Sequence, residues 1–206
     1  MGGQVLSLQG LAGSYEDVFL PLYGEHQARN AACALAAVEA FFGASQERVR
    51  IDLVTAGFGA VSSPGRLEVV RRGPTVLLDA AHNPSGAAAT AQAVQESFSF
   101  TRLVGVLAVM ADKDVRGLLE ALEPVLDEVV VTQNSSTRCL PAARLAEVAE
   151  DVFGGHRVTV EPRLADALDV AVGIAETDGD LGGAGVLVTG SVVTVGDARR
   201  MLRGSR

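Results

Sequence analysis

The chain has 206 residues, a formal net charge of −8, 48% hydrophobic residues, only 4% aromatics and no tryptophan. That length can bury one good core and part of a second, and the acidic balance argues against a broad basic face for nucleic acid or an anionic membrane. No run reaches the roughly 20 apolar residues of a membrane span, and Met1-Gly2-Gly3-Gln4 opens no basic, signal-like segment, so a cytoplasmic location is expected.

In chain order, Gln4–Gln9 and Tyr15–Leu22 read as strands joined by the turn-prone Gly10-Leu11-Ala12-Gly13-Ser14. Glu25–Phe42 reads as a helix, with Ala31, Leu35, Val38 and Phe42 at helical spacing and Gly43 as its stop. Val49–Val61 is a weaker helix, interrupted by Gly57 and Gly59, and Ser62-Ser63-Pro64-Gly65 punctuates the chain. Arg66–Arg71 and Thr75–Asp79 follow as strands around a Gly73-Pro74 turn, then a helix from Pro84 to Phe98. Leu103–Met110 predicts a strand, Val115–Leu126 a helix, Glu128–Thr132 a strand and Pro141–Phe153 a helix. Arg157–Val160 predicts a strand, Leu164–Glu176 a helix, Gly179–Gly185 a loop, and Gly185–Thr189 an apolar strand before a last segment through Val195 and Leu202.

Strand and helix alternate, and most strands are continuously apolar. That pattern predicts an α/β fold: a Rossmann-like, mostly parallel sheet with helices on both faces. The boundary at Ser62–Gly65 divides the chain into residues 1–63, too few and incomplete for a domain of their own, and a second domain over 64–206. Cys33 and Cys139 have no CxxC spacing and read as free thiols. Of seventeen basic residues only Lys113 is a lysine, and Asp114 follows it, so no GxxxxGK[ST] phosphate loop occurs in the chain. Any ATP chemistry must take its phosphate loop from elsewhere.

The segment Asp79-Ala80-Ala81-His82-Asn83-Pro84 joins the apolar strand Thr75-Val76-Leu77-Leu78 to a helix. Asn83 suits an N-cap and Pro84 the first turn. His82 and Asn83 therefore sit at a strand's carboxyl end and a helix N-terminus, where open parallel sheets bind ligands and where phosphate is favoured. The two oxygens of Asp79 suit a pair of ribose hydroxyls, and His82 can donate to a phosphate oxygen. Read locally, the same residues serve equally well as a capped strand–helix turn.

Further segments bear on that choice. Gly24-Glu25-His26-Gln27-Ala28-Arg29-Asn30-Ala31 resembles the G-x-H-Q-x-x-N-A stretch of the folylpolyglutamate and dihydrofolate synthases of the Mur ligase superfamily. Pro64-Gly65-Arg66-Leu67-Glu68 resembles the P-G-R-x-E segment that opens their C-terminal domain, and Asp79–Pro84 their D-G-A-H-N-P, with Ala80 in place of glycine. Ala111-Asp112-Lys113-Asp114 and Thr189-Gly190-Ser191 are similar to two later segments, in the same order. The resemblance implies an ATP-dependent ligase. The carboxylate of a dihydropteroate or tetrahydrofolate substrate attacks the γ-phosphate, and L-glutamate then attacks the acyl phosphate. It implies that residues 1–63 are the tail of a central ATPase domain, that magnesium bridges the phosphates, and that the family works as a monomer.

Carried over by motif, Asn30 would bond adenine in the bidentate manner of an amide, with His26 one helical turn away on the same side. Its alternative is to satisfy a buried backbone group. Arg66 would offer its fork to phosphate, or be a surface arginine on an edge strand. Asp79 would hold ribose, and His82 would face the γ-phosphate or acyl phosphate as the catalytic group, its protonation adding charge for the transition state. Lys113 is either at the ligand edge or in a solvated charge cluster. Ser191 either meets the incoming glutamate or bonds its own turn. His156, beside Gly154-Gly155, is read as exposed and without function. No metal ligand is assigned: the magnesium ligands belong with the missing phosphate loop, so the chain is expected not to catalyse alone. A non-catalytic nucleotide-binding module on the same scaffold and a Mur-type peptide ligase are the alternatives.

Overall fold

Alternating apolar residues pair Gln4–Gln9 (β1) with Ser14–Leu20 (β2) as an antiparallel hairpin, Gln4 opposite Leu20 and Gln9 opposite Ser14. Two helices accompany it, Glu25–Phe41 (α1) and Ile51–Gly59 (α2). Leu8, Tyr15, Val18, Leu20, Ala31, Leu35 and Val54 form their common core. These elements fall in the first of two compact units, Met1–Pro64, and the second spans Gly65–Arg206. The computed structural model describes residues 2–43, 48–177 and 183–204.

The buried face of α1 differs from the expected one. Gln27, Ala31, Leu35 and Glu39 face inward at a spacing of four, while Val38 and Phe42 are 45% and 75% exposed. Ala31 and Leu35 belong to both series, so apolar spacing alone could not separate them. Glu39 decides it. Fully buried, it accepts from Leu11 N at 2.5 Å and from the Tyr15 hydroxyl at 2.6 Å, and so fixes the face that meets the hairpin.

The second unit is a six-stranded sheet in the order β3-β4-β8-β5-β6-β7. Its strands are Glu68–Arg71 (β3), Thr75–Leu78 (β4), Arg102–Leu107 (β5), Glu128–Gln133 (β6), Val158–Arg163 (β7) and Ala184–Thr189 (β8). Only the edge strand β3 runs antiparallel. The helices are Pro84–Ser97 (α3), Val115–Leu122 (α4), Ala142–Phe153 (α5), Leu164–Glu176 (α6) and Val192–Gly204 (α7). On one face of the sheet Val76, Leu78, Val104, Val106, Val130, Val186 and Val188 pack with Leu164, Ala167, Leu168 and Ala171 of α6 and Val195 and Ala198 of α7. Alternation sends Leu77, Leu103, Leu107, Val131 and Leu187 to the opposite face, which leaves that face to α3, α4 and α5, neighbours of one another in that order.

Two boundaries moved for physical reasons. Strand β5 ends at Leu107 rather than Met110, because Ala108 O accepts from Thr194 Oγ1 and Val109 O from Leu140 N, which draws the chain out of the sheet. Helix α4 stops at Leu122 and tightens into a 3-10 turn over Glu123–Val125, where Pro124 has no N–H to give. The last segment is a full helix, α7. Of the loop expected over Gly179–Gly185, residues 179–182 lie outside the described residues, and Ala184 and Gly185 already belong to β8.

Strand order positions the site. The chain leaves β4 for α3 and β5 for α4 on one face, whereas β8, lying between them, leads to α7 on the other. Connections that diverge to opposite faces open a crevice at the carboxyl ends of such strands.

Candidate functional site at the carboxyl edge of the sheet

At this crevice Asp79 directly follows β4. It is 4% exposed, and its carboxylate binds three donors. Oδ1 accepts from Ala81 N at 3.0 Å and from Thr90 Oγ1 at 2.7 Å, and Oδ2 accepts from Leu67 N at 3.0 Å. Thr90 Oγ1 also lies 3.0 Å from Gly86 O; its single proton goes to the nearer, charged acceptor. Asp79 thus ties the start of α3 and the turn before β3 to the end of β4. Of the roughly four lone-pair positions on a carboxylate, the three bonds leave one, on Oδ2.

His82 is half-buried, and its Nδ1 lies 3.0 Å from Ala80 O. A carbonyl only accepts, so Nδ1 carries the proton and Nε2 is the nitrogen left for chemistry. Neutral, Nε2 accepts; as imidazolium it donates. Asn83 caps α3, its Oδ1 accepting from Gly86 N at 2.8 Å, with Pro84 at the first position. Pro84 has no N–H, and Gly86 and Ala87 donate to Asn83, so Ser85 N–H is the donor that the first turn leaves open.

Arg66 projects from the turn before β3 between Gly65 (φ 73°) and Leu67 (φ 44°). It is exposed and has no ion-pair partner among the described residues. Gly65 O accepts from Ala80 N at 2.9 Å, which sets the turn beside the Asp79–Pro84 loop. Across the crevice, Gly190 (φ 104°) donates to Ala81 O at 3.1 Å. A Cβ on Gly190 would stand 2.7 Å from Ala108 O, so only glycine fits there.

Ser191 is 2% exposed and caps α7, accepting from Thr194 N at 3.0 Å. Asn134 Nδ2 donates to Ser191 Oγ at 3.1 Å and to Thr194 Oγ1 at 2.9 Å, and Thr194 Oγ1 donates to Ala108 O at 2.8 Å. The proton assignment then closes: the Ser191 hydroxyl donates to Thr194 Oγ1 at 2.8 Å. Every donor and acceptor position of the Ser191 hydroxyl is taken within the fold. Its work in this structure is to lock the ends of β5, β6 and β8 together.

Residues 65–192 match the family described as Mur ligase, glutamate ligase domain. The chain belongs to the Mur ligase family. It is 55% identical over 210 residues to the dihydrofolate synthase/folylpolyglutamate synthase of Mycobacterium tuberculosis, a match that covers 98% of this chain and 43% of that protein. A crystal structure of M. tuberculosis folylpolyglutamate synthase complexed with ADP and AMPPCP superposes with a TM-score of 0.93 at 55% identity, over 98% of this chain and 46% of that one. The structure of E. coli FolC in complex with DHPP and ADP gives 0.78 at 28% identity, over 94% and 42%. The chain spans somewhat less than half the length of these relatives.

In this Mur ligase domain Arg66, Asp79, His82, Lys113 and Ser191 all come to the carboxyl edge. Lys113 is half-buried after β5, its Nζ 3.8 Å from Asp112 Oδ2, while Arg138 bonds Asp112 Oδ1 at 2.7 Å. That bond, more than the neighbouring charges, holds the Asp112 carboxyl below its ordinary range. Asn30 belongs to the first unit. It is exposed on α1 and does not satisfy a buried backbone group; its Nδ2 makes one 3.3 Å contact to Gln27 Oε1. Both cysteines are free thiols, and burial pushes the half-buried Cys139 up. His156 is exposed. No group of three or more His, Cys, Asp or Glu suited to a metal occurs among the described residues, and no helix among them is long and apolar enough to cross a membrane.

The sequence reading missed Glu68, Thr90, Asn134, Thr194 and Asp197. Thr90 carried a signal, standing at helical spacing from Asn83 on the side that faces back to Asp79. Asn134, Thr194 and Asp197 carried none for the bonds that join separate loops, because those partners lie far away in sequence: Asn134 Nδ2 donates to Thr194 Oγ1 across 60 positions, and Asp197 Oδ2 accepts from Ser135 N at 2.9 Å across 62.

Proposed function

We propose that this chain is the C-terminal part of an ATP-dependent ligase that joins L-glutamate to a folate-type acid, dihydropteroate or tetrahydrofolate, through an acyl phosphate. The observation that carries the proposal is the gathering of Arg66, His82 and the N-terminus of α3 at one crevice: an unpaired guanidinium, an imidazole with Nε2 free and an open helix N–H, all suited to phosphate. The likeness to folate ligases over nearly the whole chain supports the choice of substrate.

In the reaction, a carboxylate oxygen of the acid attacks the γ-phosphorus and ADP leaves. The amine of glutamate then attacks the acyl carbon, phosphate leaves and an amide forms. Arg66 would bind phosphate oxygens, and protonated His82 would donate from Nε2 to the oxygen on which charge builds. Asn30 would meet adenine through its exposed amide. Asp79 would reach ribose only through the one lone pair left on Oδ2, its main work being to hold the loop. Lys113 would meet a carboxylate of the incoming glutamate, while Ser191 keeps the loops in place. The described residues do not form a magnesium site, and no step here is assigned to the metal. A magnesium ion would take its protein ligands from the half that carries the phosphate loop, and would supply charge neutralisation of the phosphates there. A monomer working in the cytoplasm completes the proposal.

The test joins this chain to its phosphate-loop half and supplies ATP, Mg²⁺, L-glutamate and each acid in turn. Amide product with stoichiometric ADP, read by mass spectrometry, is the expected result. Absence of product with both acids would overturn the folate reading.

A further inference from the structure

Arg66 is held on both sides in an uncommon backbone state. Gly65 and Leu67 both lie in the left-handed region, which a leucine avoids unless its surroundings enforce it. Two carboxylates enforce it here. Asp79 takes the N–H of Leu67, whose side chain is buried. Glu68 Oε2 takes the N–H of Gly65 at 3.0 Å. Glu68 is itself fixed from α7: Arg199 Nε lies 3.0 Å from both of its oxygens, and Arg203 Nη2 lies 3.0 Å from Oε1. Its side chain is 17% exposed and that of Arg199 29%, so water weakens this pair less than a surface one. The sequence separation is 131 residues, and the bond therefore ties the turn to the last helix of the fold.

We propose that Glu68 is the positioning residue for Arg66. Locked by Arg199 and Arg203, it holds the Gly65-Arg66-Leu67 turn in the one shape that aims an unpaired guanidinium at the phosphates of the nucleotide, without touching the nucleotide itself. The inference rests on the reading of Arg66 as a phosphate ligand. Were Glu68 only a surface anchor for α7, neither oxygen would need to face the amide just before Arg66. A free turn would spread the guanidinium over many directions, and catalysis by positioning is lost when the group is not held in advance.

Two measurements test this. In the 206-residue chain, Glu68→Ala should speed hydrogen exchange at the Gly65 amide by at least about tenfold, equivalent to about 1.4 kcal/mol of protection, with the strands of the sheet still protected. In the ligase carrying this chain, Glu68→Ala should raise KM for ATP about tenfold, again the factor for about 1.4 kcal/mol, and should add nothing further in an Arg66→Ala background. Where Glu68→Ala unfolds the domain, Glu68→Gln and Arg199→Ala carry the same comparison. A Gly65 amide that stays protected overturns the proposal, as does a Glu68 effect on KM that persists without Arg66. If Arg66→Ala raises KM and the Glu68 variants do not, only the positioning role falls. If Arg66→Ala leaves KM unchanged, the phosphate reading falls with it.

Discussion

Replacing Asp79 by asparagine separates two jobs that a loss of activity would confound. A residue that only held ribose would lose ATP use without loss of stability; the clamp seen here must lose both. Asparagine keeps one oxygen and turns an NH2 toward a donor. If the oxygen stays with Ala81 N and Thr90 Oγ1, the buried Leu67 N–H loses its acceptor, at about 2 kcal/mol, and the two surviving bonds fall from charged to neutral strength, at roughly 0.5–1 kcal/mol each. The sum, about 3–4 kcal/mol, corresponds to a midpoint lowered by about 10 °C in a unit of this size. Thr90→Val removes one of the same bonds and costs about 1–1.5 kcal/mol. Because the bond is shared, the double variant should be less destabilised than the sum by about 1 kcal/mol. Urea unfolding followed by far-UV circular dichroism measures this. Tyr15 and Tyr23, the only tyrosines, both lie in the first unit, so tyrosine absorbance follows that unit separately. A cost below about 1 kcal/mol for Asp79→Asn, or strict additivity with Thr90→Val, would refute the clamp.

Gly65→Ala places a Cβ 2.7 Å from Val195 Cγ1 in a left-handed backbone and should cost about 2 kcal/mol or more, of which Val195→Ala relieves the clash but not the roughly 1 kcal/mol of backbone strain; thermal unfolding of the pair shows whether that is so. The hydroxyls of Thr132 and Thr189 are buried with no partner among the described residues, so valine at either position should be neutral or stabilising by up to about 1 kcal/mol, and a clear loss in chemical denaturation would reveal a partner. Burial first, and then the bond to Glu39, push the Tyr15 phenol above its ordinary value of 10.0. The unfolded chain therefore releases this proton first. The first unit should hold its stability below pH 10 and lose it as pH rises from there through the folded value, and Tyr15→Phe should flatten that alkaline limb in a pH series of melts. In the ligase, His82→Ala should lower kcat by about 100-fold or more with the fold unchanged by circular dichroism; a change of less than about threefold would remove His82 from the chemistry.

Much of the fold was legible because local rules act locally. Asn83 announces the start of α3 through a side chain that accepts from the amide three positions on, and it does so here. Continuous apolar runs predict buried parallel strands, and β4, β5, β6 and β8 are buried along nearly their whole length. The candidate site was legible as motifs but not as bonds. Nothing at Asp79 says that three donors will fill its oxygens, and nothing at Ser191 says that Asn134 will saturate it from 57 positions away.

What the sequence determined by itself, then, was the succession of strands and helices, the ends of several of them, and the motif order that marks the family; each depends on residues a few positions apart. Tertiary structure alone decided the strand order. It sets β8 between β4 and β5 and so opens the crevice, because pairing between distant strands leaves no periodic trace in either of them. It also decided which carboxylates are free to meet a ligand and which, like Asp79 and Glu68, spend their oxygens shaping the loops that present Arg66 and His82. Those partners are chosen by three-dimensional proximity, and a one-dimensional pattern carries no record of it.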